Sequence, residues 1–487
     1  MEHDLVTSRA LGLATAATAA GLLGCGDATT VVAPVIDLPA PGSAADPLPS
    51  LQEVELSAAH AGATGALVAA TFTRGEVLSL DGVPEADDLV IHLVGRSGGA
   101  EVGYGRTCRF AVATGDPPPT PHLWFTRTVH WAPAAAPPTA RRLGGASWTT
   151  ADQGVAFALG SDGGAAATAV EVFDPLTATW RQAAATAPRT GGVLVPLGDG
   201  RAVIAGGRDD AGDPIGVVEV VDPLAAEAAR VETIDDPRLG LDGTAAVRQQ
   251  DGDVIVLGGR DASGPIATGW VLEVGDDGVV AVPRTLDAAL ATPRSDHTLT
   301  RLGDDVGAPL VVIGGVDGAG APVAAAELYL PLSKSFSTSF AATMVVPRHR
   351  HTAVRLPDGS VLVVGGVDAA DQPVATIERF SIADGFTDVG TLPPAAGLVD
   401  ASLTPLPDGR YLLSGGRTGP AEPAAASAYV IGLDPSDGSI DVTPTDDLDE
   451  PRAGHTAALL CDGTVLAIGG DGPDSADRYQ PRSTDRR

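Results

Sequence analysis

Positive charge is scarce in this chain. Its 487 residues carry 62 Asp and Glu against 31 Lys and Arg, and Lys334 is the only lysine. A net charge of −31 repels phosphate backbones and anionic bilayers. That excludes nucleic-acid binding and leaves no basic surface for a membrane. Cysteine is scarce too. Cys25, Cys108 and Cys461 are too few for a disulfide framework and lack the paired spacing of a metal site. After residue 24 no apolar run approaches the length of a membrane-spanning helix. Glycine and proline are plentiful instead, at 61 and 39 residues, and 44% of the chain is hydrophobic. That composition suits a turn-rich all-β protein with a sizeable core, and the length suits two or three domains.

The N-terminus reads as an export signal. Ala10–Gly24 is apolar and small-residued, too short for a stable membrane span but suited to a signal-peptide core. It ends "LLGC", which resembles the bacterial lipobox and implies that Cys25 becomes a lipidated mature N-terminus. Residues 1–24 are then the signal peptide. Residues 25–50, rich in Pro, Ala and Gly, are expected to be a flexible tether. Short strand-like runs separated by turns over 51–113 suggest a small β-sandwich-like domain. A Pro-rich linker over 114–122 follows, and the repeats occupy 123–487.

The stretch "RHTAVRLPDGSVLVVGG" (350–366) recurs. Related copies place the first glycine of the closing pair at 160, 206, 258, 314, 365, 415 and 469, at intervals of 46 to 56 residues. Each copy reads as two strands, a and b, joined by an Asp-Gly turn of type I′. A third strand, c, follows in "AVEVFDP", "VVEVVDP", "AAELYLP" and "ATIERFS", then a fourth, d, clearest in "TATWRQ". Strand b is apolar throughout, as expected for a strand buried on both faces. A Gly-Gly after an apolar strand also occurs in dinucleotide sites. Those need G-x-G-x-x-G leading into a helix, whereas Gly365-Gly366 leads into "VDAADQP". The pair is therefore read as architectural.

Seven such units resemble the kelch repeat family over about Leu123 to Pro481. The shared features are the Gly-Gly hairpin, an aromatic such as Tyr329 on strand c, Trp180 on strand d, and Arg or His opening the next unit. The resemblance implies a seven-bladed kelch-type β-propeller. The last unit lacks a fourth strand of its own, and "RTVHWA" (127–132) is expected to supply it and close the ring.

Strand alternation puts the b–c and d–a loops on one face. That face holds Arg294, His297, Arg348, His351, Arg452 and His455 from the d–a loops, and Asp209, Asp261, Asp317 and Asp368 from the b–c loops. These ten are the candidate ligand face, because Arg forks and carboxylates recognise peptides and acidic sugars. The competing reading is that they pin the loops to one another. The acidic loop at Asp209–Asp213 lacks the oxygen shell of a calcium hand. Copper oxidases resembling galactose oxidase need a Tyr–Cys cross-link, and Cys461 is expected on the opposite face. The S-x-D-x-G-x-T-W box of sialidases is absent. No cofactor, metal or catalytic set is assigned. The expectation is a monomeric binding or scaffold protein of the bacterial cell envelope, anchored only through its N-terminal lipid, or secreted, with a protein or glycan partner. The alternatives are a carbohydrate-modifying enzyme using that face and a purely structural surface protein.

Overall fold

A computed structural model describes residues 29–63, 65–73, 76–113, 116–117, 119–138, 145–162, 165–166, 168–226, 231–274, 283–434, 438–471 and 475–482. The signal peptide, Cys25 and the arginines at 141 and 142 lie outside these residues. The chain is all-β and built mainly of four-stranded antiparallel sheets.

The N-terminal region corrects two expectations. The supposed tether is structured from Thr29 onward. Thr29–Val32 pairs with Leu80–Pro84, and Val35–Asp37 runs parallel to His122–Trp124. Val32 is fully buried with Leu56, Leu80, Leu93 and Phe125. The β-branched run "TTVVAPVID" therefore acts as strand, and Pro34 merely separates the two segments. The region is one five-stranded sheet flanked by two-stranded ribbons, not two matched sheets. Its order is Val68–Thr73, Glu53–His60, Ala86–Ser97 and Ala100–Arg106, with Phe110–Val112 also on Ala86–Ser97.

Seven sheets follow, numbered here 1 (145–185), 2 (193–235), 3 (245–285), 4 (298–343), 5 (352–391), 6 (402–444) and 7 (456–480 with 130–134). Sheet 5 is representative. Its strands a to d are Thr352–Arg355, Val361–Val364, Thr376–Ser381 and Gly385–Thr391. Every described residue of strand b is buried in all seven sheets, which explains their apolar composition, with Ser414 the one polar residue among them. In sheet 4 two short segments, Ser335–Phe336 and Ala342–Thr343, both pair with strand c. Strand a of each sheet packs on strand a of the next, and sheet 7 packs on sheet 1 in the same way.

Sheet 7 takes its outer strand from far upstream. His130–Ala134 pairs antiparallel with Ala476–Gln480, with Trp131 opposite Tyr479. The strand begins three residues later than the sequence suggested. The a–b turns also differ from expectation. A type I′ turn needs positive φ at both central residues. Gly359 has φ +83°, but Asp358 is not in that region. Instead Leu356 N–H donates to Ser360 O at 2.8 Å, and the Asp358 carboxylate accepts Ser360 N–H at 2.9 Å.

A staple joins the two regions. Cys108 and Cys461 form a disulfide across 353 residues of sequence. Cysteine spacing alone had argued against any such bond, because partners so distant leave no local pattern. Cys461 does lie in an a–b turn, between Thr456–Leu459 and Val465–Ile468. Nearby, Gln153 Nε2 donates to Arg109 O at 2.9 Å, and the Arg478 guanidinium lies 5.1 Å from the Trp124 ring centre. The N-terminal region thus covers the a–b face at sheets 7 and 1. The b–c/d–a face lies at the other end of the strands.

Candidate functional site

The Gly-Gly pairs set the geometry of the b–c/d–a face. Gly206 and Gly207 have φ of +67° and +89°, and the other five pairs match. A Cβ on Gly206 would stand 2.7 Å from Leu241 O of the next sheet, so glycine is required both by φ and by close approach. The second glycine then donates its N–H to that next sheet. Gly207 reaches Leu241 O at 2.7 Å, Gly259 reaches Arg294 O at 2.9 Å, and Gly416 reaches Arg452 O at 2.8 Å. Sheet 1 departs here. Its equivalent pair is Leu159-Gly160, one residue earlier than the sequence alignment had it, with Leu159 at φ +64°.

The predicted arginines turn inward. Arg189, Arg294, Arg348 and Arg452 are each 0% exposed. Each guanidinium donates to the carbonyl of its own sheet's first Gly: Gly206 at 2.8 Å, Gly314 at 3.2 Å, Gly365 at 3.2 Å and Gly469 at 2.9 Å. Each also pairs with a strand-c carboxylate: Glu219 at 2.6 Å, Glu327 at 2.5 Å, Glu378 at 2.5 Å and Asp477 at 2.9 Å. Those carboxylates are in turn bonded to the d–a loop. Glu378, for example, accepts Val345 N–H at 2.8 Å and Val346 N–H at 3.0 Å. Burial pulls Arg189, Arg294 and Arg348 below the usual arginine pKa, and the facing glutamate only partly restores it. Burial likewise raises Glu219 and Asp477 against the pull of their arginines. These arginines lock strands b and c to the incoming loop and face no ligand, which corrects their assignment to a binding surface.

The histidines are also packed into the seams. His297, His351 and His455 are 6–8% exposed. A Cβ on Gly258 would meet the His297 ring at 2.7 Å, and one on Gly415 would meet His455 at 2.9 Å. Each ring is thus wedged against the first Gly of the preceding sheet. His351 Nε2 lies 3.1 Å from Thr298 Oγ1, and His455 Nε2 lies 3.1 Å from Ser414 Oγ. Burial first, and the adjacent arginine second, lower all three to about 3, so the rings are neutral. The aspartates brace their own loops. Asp209, Asp317 and Asp368 each accept backbone N–H bonds from two and four residues on, at 2.8–3.0 Å, and Asp261 accepts Ser263 N–H at 2.7 Å.

A different set of residues faces outward. Two positions after the arginine, or after Leu241 and Leu398 that replace it in sheets 3 and 6, the backbone is left-handed in six sheets: Gly191, Gly243, Asp296, Arg350, Asp400 and Gly454, with φ between +55° and +69°. Three of these are glycine. The other three, in adjacent sheets 4, 5 and 6, carry charged side chains. Arg350 and Asp400 form an ion pair across sheets 5 and 6. Asp296 N–H donates to Gly243 O at 2.8 Å, and Gly454 N–H donates to Asp400 O at 2.8 Å. Gly243, Asp296, Arg350 and Asp400, with Thr244, His297, His351 and Thr352, line an opening of about 420 Å³. A second opening of about 670 Å³ lies at the a–b end, lined by Ser147, Thr149, Pro196, Leu403, Pro405 and Leu459 among others. Its one carboxylate, Asp199, is paired with Arg201 at 2.6 Å.

Sequence reasoning missed both the strand-c acids and the left-handed residues. The acids had a signal. Each sits one or two residues into a recognisable strand c, and sheets 3 and 6, which lack it, also lack the buried arginine. The left-handed trio had none, since Asp, Arg and Asp share no residue type.

No family model matches the chain, and no curated protein matches it.

Proposed function

We propose that this is a lipid-anchored bacterial envelope protein whose seven sheets are the blades of a kelch-type β-propeller. It binds a partner, a protein or a glycan, at the mouth formed by Asp296, Arg350 and Asp400. The propeller reading is supported by the cyclic packing of the first strands and by the upstream strand that completes sheet 7. In this reading the first strands line a central channel, and the two openings are its ends. The envelope reading is supported by the lipobox-like "LLGC" and by the disulfide, which suits an oxidising compartment.

One observation carries the binding site. Three adjacent sheets hold charged side chains at a left-handed position where three others hold glycine. Such strain persists where surroundings enforce it and concentrates at sites that handle ligands. The arginines and histidines once available to an enzyme are consumed by internal contacts, which favours recognition over catalysis. The test is a pull-down from envelope extract with mature protein, repeated with Asp296→Asn and Arg350→Gly. Partners captured equally by all three proteins refute the site. Separately, Cys25→Ala releases the protein from membranes, and its retention there refutes the lipid anchor.

A further inference from the structure

We infer that the mouth takes a cationic side chain, the ammonium or guanidinium of a basic segment on a partner polypeptide, with Asp296 as the carboxylate that receives it. The inference rests on the binding reading above and names its ligand chemistry.

Three arginine–aspartate pairs bridge neighbouring sheets on this face. Arg208 holds Asp242 at 3.0 Å, Arg350 holds Asp400, and Arg417 holds Asp471, each pair bridging neighbouring sheets. Asp296 breaks the pattern. Between sheets 3 and 4 the bridging arginine, Arg260, reaches Ser295 Oγ at 3.3 Å instead of a carboxylate. Ser295 Oγ in turn donates to Asp296 Oδ2 at 3.0 Å. Among the described residues Asp296 therefore forms no ion pair with an arginine or lysine, and the nearby His349 ring is held below its usual pKa by burial, which the pull of Asp296 only partly offsets. Asp296 is exposed and fixed in place by its own N–H on Gly243 O.

Beneath Asp296 lies His297, 6% exposed, lining the same opening. Neither of its ring nitrogens makes a hydrogen bond of normal geometry, though the Leu257 carbonyl lies close enough to favour the charged ring slightly. A neutral imidazole keeps a lone pair, which accepts an N–H but repels no cation. Asp400, already sharing Arg350, completes an acidic rim. The opening of about 420 Å³ is large enough for one long side chain. The chain's net charge of −31 draws basic partners from a distance, and Asp296 fixes where they dock. An acidic glycan or peptide would meet two carboxylates and an arginine already engaged.

The full disulfide-bonded chain is screened on a random hexapeptide array and a glycan array at about 0.15 M salt, which suppresses non-specific attraction. Bound peptides are expected to be enriched in Lys and Arg, and to lose binding when the lysines are acetylated. Asp296→Asn keeps the left-handed backbone that Asn tolerates. It weakens these peptides about tenfold, the scale of one charge-assisted hydrogen bond. Arg350→Gly removes the competing cation and strengthens them. If the bound set is acidic or glycan, is lost in Arg350→Gly and ignores Asp296→Asn, the cationic inference falls while the mouth remains the site. If neither variant alters any binding, the mouth itself falls. Unchanged urea midpoints for Asp296→Asn establish that lost binding is not lost folding.

Discussion

Sheets 5 and 6 solve one packing problem in two ways. In sheet 5, Arg348 is buried and paired with Glu378 on strand c. In sheet 6 the same positions hold Leu398 and Tyr429, which share one buried apolar cluster. The equivalence is structural. Arg348 O and Leu398 O each accept the N–H of the second Gly of the sheet before, and Glu378 and Tyr429 oppose the same strand-b position, Val363 and Leu413. Sheet 3 repeats the apolar solution with Leu241 and Trp270. The backbone slot is what sheets 2 to 7 keep. An ion pair or an apolar–aromatic pair can fill it, but a mixture leaves a charge buried alone.

The largest expected effect breaks that rule. Arg348→Leu or Glu378→Tyr alone strands a charge with no exposure and should cost about 3–5 kcal/mol. The double variant imports the sheet 6 solution and should return to within about 2 kcal/mol of wild type, since apolar replacements of buried pairs are often neutral. Urea unfolding of the four proteins gives the coupling directly. Additive losses would show that the two residues do not act as a pair.

Sheet 7 differs from the others in joining segments from before sheet 1 and after sheet 6. Its outer strand comes from residues 130–134, and the Cys108–Cys461 bond staples the same junction. Replacing both cysteines with serine should lower stability by about 2–4 kcal/mol. Limited proteolysis should then cut first between the N-terminal region and sheet 1. Cleavage elsewhere would mean that the staple does not secure this junction.

Three of the four ion-paired sheets, 4, 5 and 7, also carry the seam histidines; sheet 2 has Gly192 there, and sheets 3 and 6 have Thr244 and Ala401. Each histidine sits at about 3 in the folded chain and near 6.5 when unfolded, so the unfolded chain holds more protons between those values. Stability is complete above pH 6.5 and falls as pH drops toward 3, by about 1.4 kcal/mol per pH unit for each histidine. Replacing all three with threonine should flatten that acid limb. An unchanged limb would place the acid sensitivity in the carboxylates instead.

What was legible in the sequence follows from range. The units, their strand order and the function of Gly-Gly depend on neighbours a few residues apart, and all could be read. Even the upstream strand of sheet 7 was legible, because Trp131 resembles Trp180 in its setting. The depth of Arg348 was not. A Pro-Arg in a loop reads as exposed until its partner is known, and Glu378 lies 30 residues on. The strand at Thr29–Val32 was hidden for the same reason, since its partner begins at Leu80.

The smallest effect sharpens the comparison at the mouth. Sheets 2, 3 and 7 place glycine at the left-handed position, and sheet 5 places Arg350 there at φ +55°. A non-glycine residue pays roughly 1–2 kcal/mol for that conformation. Arg350→Gly relieves it, but frees the unfolded chain by roughly 0.5–1 kcal/mol and removes an exposed ion pair of at most about 1 kcal/mol. The net change should lie within about 1 kcal/mol of zero. Asp296→Gly should change stability even less on the native side, because Asp tolerates the left-handed region. Near-neutral stability combined with altered binding would assign Arg350 to recognition. A loss of 2 kcal/mol or more would mean that Arg350 holds sheets 5 and 6 together, and the mouth would then be one more seam of the fold.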